Sequence, residues 1–154
     1  MGLLRGFLDR IVLIGAVLAA GCVPSFVAQY QQRLGGMLDQ ATKDLALFQE
    51  IANRFHGGDI NRLIKHHLAS TDPTFRSEGK VIQTLVDNVA SLKQSLAALN
   101  TDLFNQVRWM ATEGDSQVAR ATWDAFVPAM SLTTEALLFA FAGVVAAVCA
   151  VTAA

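Results

Sequence analysis

Two apolar stretches lie near the ends of the chain, and a segment of mixed apolar and polar positions separates them. Residues 11–32 contain no charged side chain, and none occurs again over 136–154. As a helix, the second stretch would be ~28 Å long, which matches the ~30 Å hydrocarbon thickness of a bilayer. The pattern therefore predicts a transmembrane helix in each terminal segment, 1–28 and 129–154.

The N-terminal span depends on the helix continuing through Pro24. The densest apolar run, 11–23, would cover only ~20 Å as a helix, and extension to residue 28 brings it to ~27 Å. We expect Pro24 to bend the helix near the far membrane face without ending it. A cleaved signal peptide is the competing interpretation, because a basic start precedes the run and the small residues 19–21 resemble a cleavage site.

The middle segment, residues 29–127, has the pattern of a helical hairpin. Its predicted long helices cover about 29–56 and 73–112, and its short helices cover about 60–68 and 116–126. In both long helices apolar residues recur at alternating spacings of three and four, the heptad pattern of packed helices. We therefore predict an all-α membrane protein in which two transmembrane helices flank an antiparallel, coiled-coil-like helical hairpin. The candidate interaction residues are members of the two seams: Leu34, Leu38, Leu45, Phe48, Ile82, Leu85, Val89, Leu92, Leu96, Leu99 and Leu103.

Glycine, aspartate and proline predict where these helices begin and end. Gly57 suits the left-handed conformation that closes many helices. Asp59 and Asp72 are predicted N-caps, and Pro73 suits the first position of the second long helix. Gly114 is expected to end that helix before the last short one.

Charge places the termini and excludes some partners. The chain is 53% hydrophobic and 16% charged, and its net charge of -1 gives no support for nucleic-acid binding. Arg5 and Arg10 precede the first span, so the positive-inside rule predicts that both termini are cytoplasmic and that the hairpin is periplasmic. Cys22 and Cys149 lie in the apolar ends and are interpreted as small buried thiols instead of a disulfide.

No group of residues in the sequence specifies a reaction. His56, His66 and His67 lie near the hairpin tip, but their spacing fits no recognised metal motif and indicates a solvated polar tip. No nucleophile elbow, phosphate loop or carboxylate pair is readable. The sequence therefore predicts that the chain is not an enzyme and that it has no catalytic residue, cofactor or metal. Tyr30 and Trp123, just beyond the two spans, suit either an interfacial aromatic belt or ordinary packing.

Small residues also recur at four-residue spacing in both apolar ends. Gly15 with Ala19, and Ala142 with Ala146 and Ala150, would permit close helix contact, although alanine-rich spans produce such stripes by chance.

Four short segments occur in a characteristic order. They are VPSFVAQY at 23–30, FQEIA at 48–52, GDI at 58–60 and STDPTF at 70–75. In these segments the chain resembles the bacterial inner-membrane proteins grouped as domain of unknown function 2937. The resemblance implies a short first span, a helical middle and an apolar C-terminus. It supplies no activity, catalytic residue or cofactor.

These observations predict a non-enzymatic structural or interaction protein of the bacterial inner membrane. Its expected partners are the lipid bilayer and either further copies of itself or a larger membrane complex in which it is an accessory subunit. An oligomeric channel or transport component is the alternative. That alternative requires polar residues lining a pore, and the spans offer almost none beyond Ser25 and Thr152.

Overall fold

A computed structural model describes residues 2–128, together with 134, 137–138, 141–143 and 145. The part of the chain that it describes is helical and contains no strand, so the all-α class is confirmed there. The predicted C-terminal span over 129–154 falls almost wholly outside the described residues. Up to residue 128 the helices are α1 (Gly2–Phe55), α2 (Ile60–Leu68), α3 (Pro73–Ala98), α4 (Leu103–Thr112) and α5 (Ser116–Asp124).

Helix α1 is a single helix of 54 residues that covers both the predicted first span and the predicted first arm. Pro24 lies inside it, because a proline removes one hydrogen bond of the ladder and the bonds on either side still form. Among the described residues, one helix is long and apolar enough to cross a membrane. This helix is α1, whose part over Ile14–Phe55 has a mean hydropathy of 1.2 in its most apolar window.

The chain divides into two compact units. Unit 1 combines Met1–Gln31 with Thr101–Ala154, and unit 2 is Gln32–Asn100. Helix α1 therefore contributes to both units, whereas α2 and α3 belong to unit 2, and α4 and α5 belong to unit 1.

Unit 2 has a core made by three helices. Ala52 of α1, Leu63 and Ile64 of α2 and Ile82 of α3 form one buried cluster. The partly buried side chains packed against it are Phe48, Ile60 and Val86. Helix α2, which matches the short helix predicted at about 60–68, is thus a third packed element of the core.

Helices α2 and α3 approach each other closely at Gly79. A Cβ added there would lie 2.9 Å from Cβ of His67 and 3.2 Å from Cδ2 of Leu68. Ordinary carbon contacts are about 3.5–4.0 Å, so only glycine fits this position without displacing α2.

The predicted caps of unit 2 are confirmed. The carboxylate of Asp59 accepts a hydrogen bond from the backbone N–H of Asn61 at 2.9 Å, and that of Asp72 accepts one from Thr74 at 2.7 Å. Gly57 has a φ of 64°, in the left-handed region expected after the end of α1.

The predicted helix over 73–112 is wrong as a single element, because α3 ends at Ala98 and α4 begins at Leu103. Asp102 caps the new helix: its carboxylate accepts from the side-chain amide of Asn105 at 2.6 Å and from the Asn105 backbone N–H at 3.2 Å. These hydrogen bonds lower the pKa of the Asp102 carboxyl below its usual value. The heptad spacing from Leu99 to Leu103 continues across this break, which is why the periodicity concealed it.

Candidate functional site

The segment 23–30 of α1 makes several specific contacts within unit 1, and one of its side chains binds both backbone polar groups of Val127. Nε2 of Gln29 donates to the Val127 carbonyl oxygen at 3.0 Å, and Oε1 accepts from the Val127 N–H at 3.4 Å. Nε2 of Gln29 also lies 3.3 Å from Oγ of Ser25, one turn earlier. The Gln29 amide therefore fixes the backbone immediately before Pro128.

Tyr30 holds the start of α5 against α1. Its side chain is fully buried, and its hydroxyl oxygen accepts a hydrogen bond from the Asp115 backbone N–H at 3.1 Å. The Asp115 carboxylate in turn caps α5 by accepting from Gln117 at 2.7 Å and Val118 at 3.2 Å. Of the two roles considered for Tyr30, the structure gives it packing. Burial raises the pKa of the Tyr30 phenol.

Three aromatic rings lie beside this junction. The Phe26 ring meets Trp123 edge-on with centroids 6.0 Å apart and Phe126 with centroids 5.4 Å apart. Trp123 stacks on Phe126 at an interplanar angle of 15°. Such pairs contribute about 0.5–1.5 kcal/mol beyond the area they bury. Trp123 nevertheless stays 69% exposed.

An open apolar groove of about 700 Å³ lies next to these rings, and we call it the unit 1 groove. Its walls come from α1, α4, α5 and the residues just after α5, and among the described residues they carry no charged, hydroxyl, amide or imidazole side chain. The most polar groups in the walls are the free thiol of Cys22 and the indole of Trp123. A site of this composition can take an apolar ligand, but it offers no acid, base or oxygen nucleophile.

The described C-terminal residues touch α1 through small side chains. A Cβ added to Gly143 would lie 2.7 Å from Cβ of Ala20 and 3.4 Å from the carbonyl oxygen of Ala16. The close contact thus uses Ala16 and Ala20, one position beyond the predicted pair of Gly15 and Ala19. A Cβ on Gly15 would meet nothing within 4 Å.

The predicted interaction residues of unit 2 lie in its interior or on the margin of it. Leu34, Ile82, Val89, Leu92 and Leu99 are buried. The half-buried members are Leu38, Leu45, Phe48, Leu85 and Leu96, and Leu103 is half-buried in unit 1. The seams therefore contribute to internal packing, and the most exposed apolar side chains of unit 2 lie outside the residues predicted for interaction.

An exposed apolar stripe on α1 differs from the sequence prediction, which overlooked Leu47 and Ile51 and assigned Phe55 to the packed seam. Leu47, Ile51 and Phe55 are 66%, 40% and 75% exposed and lie four residues apart, so they share one helix face. We call these three residues the α1 stripe. The sequence signal was present as an i, i+4, i+8 repeat, but the seam prediction took Phe55 for itself and left Leu47 and Ile51 without a role.

The three histidines do come together near the end of α1. The His56 and His66 rings have centroids 5.3 Å apart, and Nε2 of His67 lies 3.5 Å from a Glu78 carboxylate oxygen. Nδ1 of His67 lies 3.0 Å from the Leu63 carbonyl oxygen, within the same helix. Over the described residues, no group of three or more histidine, cysteine, aspartate or glutamate side chains is arranged to hold a metal ion.

Tyr30→Phe isolates the hydroxyl at the α1–α5 junction. We expect it to lower the free energy of unfolding by about 1 kcal/mol, because the Asp115 N–H loses its acceptor while the ring packing remains. The raised pKa has a second consequence: the wild type loses stability as pH rises from the unfolded phenol value of about 10 through the folded pKa, and the variant lacks this contribution.

Chemical denaturation of wild type and variant from neutral to alkaline pH measures both effects. Tyr30 is the single tyrosine, so tyrosinate absorbance reports its ionisation alone. Equal stability of the two proteins at every pH would contradict the hydrogen-bond assignment.

Comparison with known proteins gives a family and no activity. No curated protein matches the chain, and no solved structure matches it. A family model described as "Protein of unknown function (DUF2937)" matches residues 4–154, nearly the whole sequence. The chain therefore belongs to the DUF2937 family, as its four ordered segments indicated.

Proposed function

We propose that this protein is a non-enzymatic, self-assembling interaction protein of the bacterial inner membrane. Two spans anchor it, both termini are cytoplasmic, and residues 29–127 form a periplasmic helical hairpin. The observation that carries the proposal is the continuity of α1, in which the charge-free stretch 11–32 runs without a break into the arm that displays the α1 stripe. The burial of Leu34 in one seam and of Ile82, Val89 and Leu92 in the other supports the hairpin.

The character of the buried polar groups favours an interaction role over catalysis. The buried polar side chains in the described part of unit 1 are Ser25 and Thr122. Ser25 bonds to Gln29, and the Thr122 hydroxyl donates to the Val118 carbonyl oxygen at 2.7 Å. Both hydroxyls thus make local helix contacts, whereas a catalytic nucleophile needs an adjacent base.

A second copy of this chain is the partner that the α1 stripe suits. Copies inserted in one bilayer share an orientation, and each copy carries the exposed residues Leu47, Ile51 and Phe55 on the same helix face. Side-by-side copies then bring like apolar residues together, as in a parallel helix pair.

Changing the α1 stripe to Leu47→Ser, Ile51→Ser and Phe55→Ser tests this assembly. We expect chemical crosslinking in native membranes to trap a dimer or higher oligomer of the wild type. The triple variant should reduce that fraction about tenfold or more, because each lost apolar contact contributes on the order of 1 kcal/mol.

The matched control replaces Phe75 and Val81 with serine, since both are similarly exposed apolar residues on α3. It should assemble like the wild type. A wild type that is only monomeric in native membranes would contradict self-assembly. If the control variant reduces the oligomer as much as the triple variant does, the α1 stripe is not the specific contact between copies.

A further inference from the structure

The unit 1 groove is positioned to meet the hydrocarbon of a bilayer. Leu18, Cys22 and Phe26 form its α1 wall and belong to the charge-free stretch 11–32. Val107 and Met110 of α4, and Ala119 and Trp123 of α5, form the opposite walls. A surface this apolar, continuous with a membrane-embedded helix face, is filled by apolar material in preference to water.

The size of the groove favours an acyl chain over a partner helix as its occupant. A helix is about 10 Å across and 5.4 Å long per turn, so about 700 Å³ would seat less than two turns of a partner helix. Such a short segment is a poor docking element for a second chain. An acyl chain is thinner, lies lengthwise in the same volume, and is present at high concentration wherever α1 is inserted.

Trp123 lies in the wall of the groove and is exposed. Its indole is exposed while its ring stacks on Phe126 and meets Phe26 edge-on, so one side is apolar and the other is free to bond with headgroups. Indoles in this situation settle at the headgroup level of a bilayer.

We propose that the unit 1 groove binds one acyl chain of a membrane phospholipid, held between α1, α4 and α5 below Trp123. This inference rests on the proposed membrane insertion and adds a bound ligand to it. Lipid binding would fasten α4 and α5 to the bilayer surface through contacts that neither helix makes by crossing it.

The test uses the full chain reconstituted in phosphatidylcholine vesicles that contain phosphatidylcholine with a photoactivatable group on one acyl chain. After illumination, peptides labelled by the lipid are mapped by mass spectrometry. We expect labelling of α4 and α5 in the wild type. Ala119→Phe and, separately, Ala111→Phe fill the groove from α5 and α4 and should reduce this labelling about fivefold or more.

Ala90→Phe is the matched control, because Ala90 is exposed on α3 in unit 2. It should leave labelling of α4 and α5 unchanged, and circular dichroism checks that all three variants stay folded. Labelling confined to residues 11–18, or equal in wild type and both groove variants, would overturn the proposal. So would a groove variant that disrupts a crosslinked dimer while labelling persists.

An alkaline carbonate wash of the same vesicles separates the two proposals. Protein that washes off the membrane contradicts membrane insertion and the lipid site together. Protein that is retained but shows no label on α4 or α5 contradicts the lipid site alone.

Discussion

Gly79→Leu is expected to lower the free energy of unfolding by about 3 kcal/mol, because overpacking costs typically 1–3 kcal/mol and the new side chain has no free space. The first added carbon alone would lie 2.9 Å from Cβ of His67 and 3.2 Å from Leu68. The remaining carbons would push α2 away from α3 and open the core cluster around Leu63 and Ile82. Loss of helical circular dichroism during chemical denaturation of the full chain in detergent micelles measures the effect.

Gly36→Leu is the matched control for this substitution. Gly36 lies inside α1, and a Cβ there would meet nothing within 4 Å. Leucine has a higher helix propensity than glycine, so this variant should be more stable by about 0.5–1 kcal/mol. Opposite signs at the two positions identify the α2–α3 contact as the cause. A Gly79 variant as stable as the wild type would show that α2 does not pack on α3 as described.

Local features of unit 2 were predictable because short-range physics sets them. An aspartate before a helix meets backbone N–H groups two or three residues later, which needs no knowledge of the rest of the chain. The caps at Asp59 and Asp72 and the left-handed Gly57 therefore follow from sequence. The heptad seams likewise included Leu34 of α1 and Ile82, Val89 and Leu92 of α3, which are buried.

Features that depend on tertiary contact were not predictable. From the sequence alone, Gly79 is only a residue of low helix propensity inside a helix. Its close contact with α2 becomes apparent only in the structure. Asp102 lies where the heptad spacing continues without interruption, so the sequence predicts one helix there. Its hydrogen bonds with Asn105 cap α4 and begin a new helix instead. The α1 stripe and the main seam are both apolar repeats on one helix, and only the packing of α2 and α3 distinguishes the covered face from the exposed one.

The candidate site shows the same division. The segment 23–30 was identifiable from its sequence, but its role was not, because the partners of Gln29 and Tyr30 lie 98 and 85 residues further along the chain. Pairing over such distances follows from the fold and leaves no local pattern. The groove beside this segment has walls from three helices, so no single stretch of sequence contains it.

Gly143→Leu tests the contact between the C-terminal residues and α1. The added side chain would meet Cβ of Ala20 and the carbonyl oxygen of Ala16, where close approach of two helices requires small residues. We expect a loss of about 2 kcal/mol in the stability of unit 1 and a fall in Tm of about 5 °C in mild detergent micelles.

Gly15→Leu makes the same change in the apolar part of α1, at a position where a Cβ has nothing within 4 Å, and it should leave Tm near that of the wild type or above it. The pair therefore separates loss of one contact from the general effect of a larger apolar side chain in an apolar helix. If the Tm of both variants falls by the same amount, the contact of Gly143 with Ala20 contributes nothing specific to stability. If only the Tm of Gly143→Leu falls, the C-terminal residues pack on α1 through small residues. The support for two packed spans then rests on a measured interaction instead of on apolar length alone.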